Sequence, residues 1–289
     1  MEETHTLQSG GIMNTCQRFD PHPNLQSLIN MVLVKGVVPW EGSIKKIYIY
    51  PPTPVHCIIF YLGSPIRAKK IDAKTFDRQP DCVVVGPQLT PVEIELSRDH
   101  RAVMIGFQPG GLYRFLGIPM SEMFDYGIDG FDLFGRDVRN LISELRETEQ
   151  PDLINTIVQS WILKKMHKAN ELLPFDLALR KLQRNGSLCS MDDVARDACL
   201  SLRQFQRKCH QRLGMNPKLY ARIARFSKAY SMYEADQQLT WSHISHHCGY
   251  FDQMHLIRDF KEFAGVTPGV ITRKLEESNL TFQAPMEIG

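Results

Sequence analysis

The stretch that decides the fold lies near the C-terminus and reads MDDVARDACLSLRQFQRKCHQRLGMNP over Met191–Pro217. A second stretch, WSHISHHCGYFDQMHLIRDFKEFAGVTP over Trp241–Pro268, repeats its pattern. Each predicts a short helix, a tight turn, a second helix that starts at a capping residue, and a stop at glycine followed by proline. The doubled pattern therefore predicts two helix-turn-helix units in tandem, and such units typically bind DNA.

The second helix of the first unit, about residues 201–213, divides into an apolar and a polar face. Ser201 is a suitable cap, and Phe205, Cys209 and Leu213 recur at every fourth position, which predicts a buried stripe. Long hydrogen-bond donors fall on the opposite face, and we expect them to reach base edges in a major groove. These candidate DNA-binding residues are Arg203, Gln206, Arg207 and His210.

The second helix of the second unit, about residues 252–263, shows the same division with different chemistry. Asp252 takes the capping position, and Leu256, Phe260 and Phe263 form the predicted buried stripe. The outward face includes apolar side chains suited to thymine methyl groups as well as donors, whereas two arginines of the first unit suit guanine. Its candidate DNA-binding residues are Gln253, Met254, His255, Ile257, Arg258 and Lys261.

The two units carry different residues at the turn between their helices. Gly249 stands where a turn between two packed helices needs a residue that tolerates positive φ. Cys199 stands near the turn of the first unit.

These residues carry a resemblance to a known family. The stretch Ser187–Leu275 is similar to the DNA-binding domain of the AraC/XylS family of bacterial transcription regulators, in which Gly is common at the position of Cys199. The family signature appears in the expected order as Ile244, Gly249, Tyr250, Asp252, Arg258, Phe260, Lys261, Gly265, Thr267 and Pro268. The resemblance implies a seven-helix domain in which a long helix, starting here at Pro217, joins two units that enter successive major grooves. It also implies double-stranded promoter or operator DNA as partner, with RNA polymerase as a further one.

The charge distribution agrees with a nucleic-acid partner. The whole chain carries 34 Lys and Arg against 32 Asp and Glu, but Arg180–Lys274 holds 16 basic and 8 acidic residues. A basic module beside a mildly acidic one is expected when a phosphate-binding domain is attached to a domain with another task.

The N-terminal half changes from a β pattern to an α pattern. Five short runs rich in β-branched and aromatic residues predict strands at Ile44–Tyr50, Val55–Leu62, Cys82–Gly86, Pro91–Leu96 and Arg101–Phe107. Helical periodicity follows, with one face made of Val138, Leu141, Ile142 and Leu145 and another of Leu153, Ile154, Ile157, Val158, Trp161 and Ile162. We expect these helices to pack on the β-domain or on a second subunit.

The predicted fold class is α+β: an antiparallel, cupin-like barrel or sandwich with following helices, then an all-α domain. PHPNLQSLI, GPQLTP and IGFQPGGLYRFLGIP resemble one version of the cupin-like module that precedes AraC-type domains. The resemblance implies that this half senses a small-molecule effector or forms a homodimer. The predicted boundaries are 1–120 for the β-domain, 121–170 for its helical extension, 171–186 for a linker, 187–275 for the DNA-binding domain and 276–289 for a flexible tail.

Enzymatic and metal-binding alternatives have weaker support. A catalytic cupin needs a His-x-His pair with a Glu and another His, whereas His22, His56 and His100 are isolated, so we expect neither an enzyme nor a cofactor. His243 and His247 have a workable zinc spacing, yet they lie on a helix whose polar residues face solvent or phosphate. The competing hypothesis is a cupin-like ligand-binding protein or metalloenzyme whose helical domain is not used for DNA.

Chain-wide features predict a cytoplasmic protein without a membrane partner. No apolar run approaches the length of a membrane span, and the start MEETHTLQSGG has no basic segment followed by an apolar one. The seven cysteines form no C-x-x-C pair, which fits free thiols in a reducing compartment. The sequence leaves open whether the protein activates or represses transcription.

Overall fold

A computed structural model describes most of the 289-residue chain. The described residues are 14–37, 46–97, 99–166, 172–186 and 189–277. The predicted tail lies outside them from residue 278 onward, as do the start of the chain and residues 44–45 of the first predicted strand.

The N-terminal half contains two antiparallel sheets. The strands are β1 (Asn14–Phe19), β2 (Ile29–Val37), β3 (Lys46–Tyr50), β4 (Cys57–Tyr61), β5 (Arg67–Lys70), β6 (Asp77–Arg78), β7 (Cys82–Val85), β8 (Val92–Leu96), β9 (Arg101–Phe107) and β10 (Gly127–Asp129). One sheet has the order β1-β2-β9-β4-β7-β10 and the other the order β3-β8-β5-β6. All described strand pairs are antiparallel, which confirms the predicted antiparallel β-domain.

Alternation along β4 shows how the layers are arranged. Ile58 and Phe60 are buried in a core shared with helices, whereas Ile59 and Tyr61 face the second sheet and pack in a separate cluster with Leu96. Side chains of successive strand residues point to opposite faces, so one strand serves two layers. The six-stranded sheet is thus covered by helices on one side and by the four-stranded sheet on the other.

The helices after the sheets pack on this β-domain. They are α1 (Gly111–Leu116), α2 (Gly130–Phe134), α3 (Arg136–Arg146) and α4 (Pro151–Lys165). The predicted face of α3 is buried, as are Ile154, Val158, Trp161 and Ile162 of α4, in the same core as the six-stranded sheet. Leu153 departs from the predicted stripe, because its side chain is 45% exposed. The apolar faces are therefore covered within one chain.

Residues 174–277 form seven helices, the number that the resemblance implies. They are α5 (Pro174–Asn185), α6 (Met191–Asp197), α7 (Leu202–Leu213), α8 (Pro217–Ala235), α9 (Trp241–His247), α10 (Gln253–Ala264) and α11 (Pro268–Glu277). A single core joins α5 to α11.

The structure corrects the predicted linker 171–186. Most of it is α5, whose Phe175, Leu179 and Leu182 are buried in the core of the helical domain. These apolar residues follow helical periodicity and so form one buried face of a helix. The helical domain therefore begins about a dozen residues before the predicted boundary at 187.

The two domains touch at the end of α7. Gly214, which ends α7, leaves no room for a side chain, because a Cβ atom there would lie 2.4 Å from Pro87 Cγ and 2.8 Å from the Met120 carbonyl oxygen. Nearby, Gln211 Nε2 donates to the Tyr113 hydroxyl at 3.1 Å. The first helix-turn-helix unit is therefore packed against the β-domain.

Candidate nucleic-acid interface

The first candidate helix, α7, begins and ends where the local sequence predicts. Ser201 and Gln204 form a capping box: the Ser201 hydroxyl accepts from the Gln204 N–H at 3.3 Å, and Gln204 Oε1 accepts from the Ser201 N–H at 3.1 Å. At the other end Gly214 adopts φ +76° and its N–H donates to the His210 carbonyl. These caps satisfy backbone groups that the helix itself leaves unpaired.

The two faces of α7 are divided as predicted. Phe205, Cys209 and Leu213 are fully buried. All four candidate DNA-binding side chains, Arg203, Gln206, Arg207 and His210, are exposed. Within the described residues, neither Arg203 nor Arg207 is engaged in an ion pair. Their guanidinium groups are therefore available to an external acceptor.

Other cations of α7 have a structural task. Arg212 Nη1 lies 3.0 Å from Asp176 Oδ1, and its guanidinium stacks over the rings of Tyr113 and Phe175 at 5.1 and 5.5 Å. Asp176 is only 2% exposed, and its other oxygen accepts from the Leu173 N–H, so one carboxylate both caps α5 and anchors α7. The sequence does not distinguish Arg212 from Arg207, because the distinction depends on where the acidic partner lies in space.

The turn before α7 carries the strain that the sequence suggests. Cys199 has φ +56° and Gly249, at the matching place in the second unit, has φ +71°. Both turns contain the same backbone hydrogen bond: the N–H of Cys199, like that of Gly249, donates to the carbonyl of the residue three positions earlier. A non-glycine residue in this left-handed region costs about 1–2 kcal/mol. The equivalence of the two turns is thus set by backbone geometry and not by residue type.

The second candidate helix, α10, follows the prediction with two differences. Asp252 Oδ1 accepts from the His255 N–H at 2.8 Å, and Leu256, Phe260 and Phe263 are fully buried. The candidates Gln253, Met254, His255, Arg258 and Lys261 are exposed, whereas Ile257 is only half-buried. His255 Nδ1 also lies 2.8 Å from Asp252 Oδ1, which leaves its other ring nitrogen for an outside partner.

Hydrogen bonds to Asp252 have an electrostatic consequence. The hydrogen bond from the backbone N–H of His255 is the largest cause that lowers the pKa of the Asp252 carboxyl. The hydrogen bond from the His255 side chain lowers this pKa further. The cap is therefore ionised at neutral pH, as the N-terminus of a helix favours.

Sequence reasoning missed Phe251, which precedes the cap of α10. Its side chain is 92% exposed, beside Met254 at 57% and with its ring centroid 6.0 Å from that of His255. The sequence does contain a signal for this exposure: Phe251 stands directly before a capping residue and lies outside the buried stripe of α10. The second unit thus presents an exposed apolar end that the first unit lacks.

Buried charges hold α10 against the long helix α8. Asp259 is 3% exposed, and its two oxygens accept from Arg222 at 2.8 Å and from Arg225 at 2.9 Å. Arg222 also pairs with Glu262 at 2.6 Å, and the Arg225 guanidinium lies 4.0 Å from the ring centroid of Tyr250. Hydrogen bonding to Glu262 and to Asp259 raises the pKa of Arg222, so the network stays charged. It holds α10 in an orientation that leaves most of its candidate DNA-binding side chains exposed.

The histidines give no metal centre in the described part of the chain. The His243 and His247 rings are nearly parallel with centroids 6.4 Å apart, and no group of three or more potential ligands surrounds them there. In the β-domain, burial lowers the pKa of His56 and of His100 to about 4, and His22 is exposed. Among the described helices, none is both long and apolar enough to span a membrane.

Comparisons with known proteins agree with this geometry. A family model described as a helix-turn-helix domain matches residues 194–274, and a domain of unknown function, DUF6597, matches residues 17–129. No match was found among curated protein sequences.

Solved structures are also similar to the chain. Unsaturated fatty acid bound ToxT from Vibrio cholerae is 10% identical, with 97% of this chain and 100% of that chain covered and a TM-score of 0.47. The AraC-like transcriptional activator CuxR is 12% identical, with coverages of 78% and 85% and a TM-score of 0.33. A DNA-binding transcriptional dual regulator from Escherichia coli K-12 is 13% identical, with coverages of 39% and 100% and a TM-score of 0.33.

Two capped helix-turn-helix units on one core, each with an exposed row of cations and amides, define a DNA-binding protein of the tandem helix-turn-helix class. The chain is a DNA-binding transcription regulator whose residues 194–274 form an AraC-type helix-turn-helix domain, and a DUF6597 domain precedes this domain.

Proposed function

We propose that the protein recognises a specific operator by inserting α7 and α10 into successive major grooves of one duplex. The observation that carries this proposal is the pairing of two capped helices with exposed cations that have no partner in the described chain. Groove-facing helices need such free donors, because a guanidinium already paired within the protein has less to offer a base.

The two helices are assigned different readout. Arg203 and Arg207 of α7 donate in a forked geometry to guanine, and Gln206 reads adjacent base edges. On α10, Met254 and Ile257 contact thymine methyl groups, Gln253 and Arg258 read base edges, and Phe251 extends the apolar end. His210, His255 and Lys261 contact phosphates and set the position of each helix on the duplex.

The proposal includes the action of the β-domain. We assign it the sensing of a small-molecule effector in the cytoplasm, with no catalytic step. Its direct packing against α7, through Pro87 and Met120 at Gly214, supports this assignment because a change in the β-domain reaches a DNA-reading helix without an intervening linker. Dimer formation and contact with RNA polymerase stay predictions of the family resemblance.

Arginine substitutions test the base-reading roles. Arg207→Ala and, separately, Arg258→Ala are expected to weaken binding to a site selected from random duplexes by about 1–3 kcal/mol, with a smaller loss on unrelated DNA. Fluorescence anisotropy at several salt concentrations measures both affinities. Arg78→Ala, which removes an exposed cation from β6, is the charge-matched control and is expected to bind like the wild type.

Two results would contradict the proposal. Equal losses on selected and unrelated DNA would reduce both arginines to phosphate contacts. A wild-type protein that selects no sequence and does not bind duplex DNA at low salt would favour the competing hypothesis of a ligand-binding protein.

A further inference from the structure

The second helix-turn-helix unit has one residue more than the first between its turn and its cap. Residues 199–201 lead from the turn of the first unit to the cap Ser201. Residues 249–252 make the same connection to Asp252 in the second unit. The unit that carries α10 therefore holds a residue for which the first unit has no equivalent.

Backbone hydrogen bonds identify this added residue as Phe251. The N–H of Leu200 donates to the carbonyl five residues earlier at 3.0 Å, and the N–H of Tyr250 makes the same bond at the same distance. Leu200 and Tyr250 are thus equivalent, and both pack on the core of the helical domain. Phe251 follows this pair, after the core position at the turn has already been filled.

The ring of Phe251 is not used to pack the helix that follows it. An apolar residue directly before a cap often packs against the fourth residue of the helix, which is Leu256 in α10. Leu256 is fully buried, whereas Phe251 is 92% exposed. The backbone at the two caps also differs, since φ is −152° at Asp252 and −67° at Ser201. The added residue therefore presents its ring to the outside.

A short series of contacts holds the exposed ring in place. Asp252 Oδ1 lies 2.8 Å from His255 Nδ1, which fixes the imidazole beside the cap. The rings of His255 and Phe251 meet at 87° with their centroids 6.0 Å apart. Aromatic rings favour such edge-to-face pairs. The phenyl group thus has a defined position at the start of α10.

The surroundings of Phe251 belong to the candidate DNA interface. Met254, in the first turn of α10, is 57% exposed, and the exposed side chains of Gln253 and Arg258 supply hydrogen-bond donors on the same helix. In the major groove, thymine presents its C5-methyl group beside hydrogen-bonding groups of the same base pair. An apolar end next to a row of donors is complementary to such an edge.

The size of the apolar end favours DNA over a protein partner. A fully covered aromatic side chain buries only about 150–250 Å². Stable protein interfaces cover about 800 Å² on each partner, which is several times more than one ring and one thioether provide. A single methyl group in a groove that α10 already occupies needs no such area.

We propose that Phe251 makes the second unit specific for a pyrimidine with a C5-methyl group, which is thymine in ordinary DNA, at the base pair next to the start of α10. The inference rests on the proposed function, because it requires α10 to lie in a major groove. It assigns the preference at one base pair to a residue that precedes the helix. One buried methyl group corresponds to about a fourfold change in Kd.

Replacement of thymine by deoxyuridine tests the inference, because it removes the methyl group and keeps the hydrogen-bonding groups of the base pair. Each thymine of the selected site is replaced in turn, and fluorescence anisotropy gives the Kd of the wild type and of Phe251→Ser. At one thymine the wild type is expected to lose about fourfold, whereas Phe251→Ser should bind the two duplexes equally. Similar Kd values of both proteins on the uracil duplex will show that the variant is folded.

Two control variants and a second readout sharpen the test. Phe251→Leu keeps an apolar side chain and should retain part of the preference for thymine. Ile47→Ser removes an exposed apolar side chain from β3 and should retain all of it. When the same base pair is changed to C·G, methylation of that cytosine at C5 should improve wild-type binding about fourfold and leave Phe251→Ser unchanged.

The outcomes separate this inference from the proposed function. A selected site at which no methyl effect depends on residue 251 would overturn the inference alone. Equal losses of Phe251→Ser on thymine and uracil duplexes would also overturn it, since the ring would then contact sugar or stack on a base. Unchanged affinity of Phe251→Ser for every duplex would assign the ring to a protein partner instead. A wild type that selects no sequence would overturn the proposed function and the inference together.

Discussion

Gly214→Ala tests whether the first helix-turn-helix unit packs against the β-domain in the folded protein. Gly214 combines a left-handed backbone, φ +76°, with a close approach to Pro87 and Met120 of the β-domain. A methyl group there would lie 2.4 Å from Pro87 Cγ and 2.8 Å from the Met120 carbonyl oxygen. Neither neighbour moves easily, since one belongs to a ring and the other to the backbone.

The expected magnitude has two parts. A side chain at positive φ costs about 1–2 kcal/mol. Forcing a methyl group into a packed contact costs typically about 1–3 kcal/mol more. Gly214→Ala is therefore expected to lower the free energy of unfolding by about 2–5 kcal/mol.

Gly265→Ala is the matched control, because Gly265 ends α10 as Gly214 ends α7. Its φ is +69°, but the nearest atom to an added Cβ is Ile71 Cδ1 at 3.1 Å, the end of a flexible side chain. Only the backbone penalty of about 1–2 kcal/mol is expected there. The difference between the two variants thus isolates the contact with Pro87 and Met120.

Urea denaturation followed by tryptophan fluorescence measures both variants under the same conditions, with comparison at equal m-values. Gly214→Ala should lose about 1–3 kcal/mol more than Gly265→Ala. Equal losses would refute the packing, because they would show that no neighbouring atom occupies the space beside Gly214. DNA binding of the folded variant is expected to persist, since the candidate side chains of α7 are exposed beside the contact.

Two further predictions concern buried ionisable groups. Asp259→Ala leaves Arg222 and Arg225 without their shared carboxylate and should lower the free energy of unfolding by about 3–5 kcal/mol in urea denaturation. The control Glu262→Ala removes a half-exposed partner of Arg222 and should cost at most about 1 kcal/mol. Similar losses in the two variants would argue against the buried network. Burial lowers the pKa of His56 and of His100 to about 4 in the folded protein. Because an unfolded histidine has a pKa of about 6.5, the unfolded chain binds more protons than the folded one below that pH. The free energy of unfolding should therefore fall as the pH is lowered from about 6.5 to about 4. The double variant His56→Gln/His100→Gln should show a shallower loss over this pH range, and an unchanged slope would contradict the burial of neutral imidazoles.

Local sequence patterns were sufficient for the two DNA-reading helices. Ser201 and Asp252 each accept a hydrogen bond from the N–H group three residues later, and apolar residues such as Phe205 and Phe260 belong to stripes with helical spacing. The sequence signal for each helix therefore lies within one or two helical turns. Local patterns did not predict elements whose burial depends on distant segments of the chain. Strand β2 was not predicted, because Met31 and Leu33 face one layer and Val32 and Val34 another, and a strand buried on both faces loses its alternation.

The sequence by itself determined the class of protein, the tandem units, their caps and the faces that carry the candidate DNA-binding residues. Tertiary structure alone decided which cations are free, since Arg207 and Arg212 lie on one helix and only Arg212 meets a buried carboxylate, that of Asp176, 36 residues earlier in the chain. It also decided that Pro87 lies against Gly214. The physical reason is range: capping and periodicity act between neighbours in the chain, whereas ion pairs, cavities and domain contacts depend on which distant residues the fold brings together.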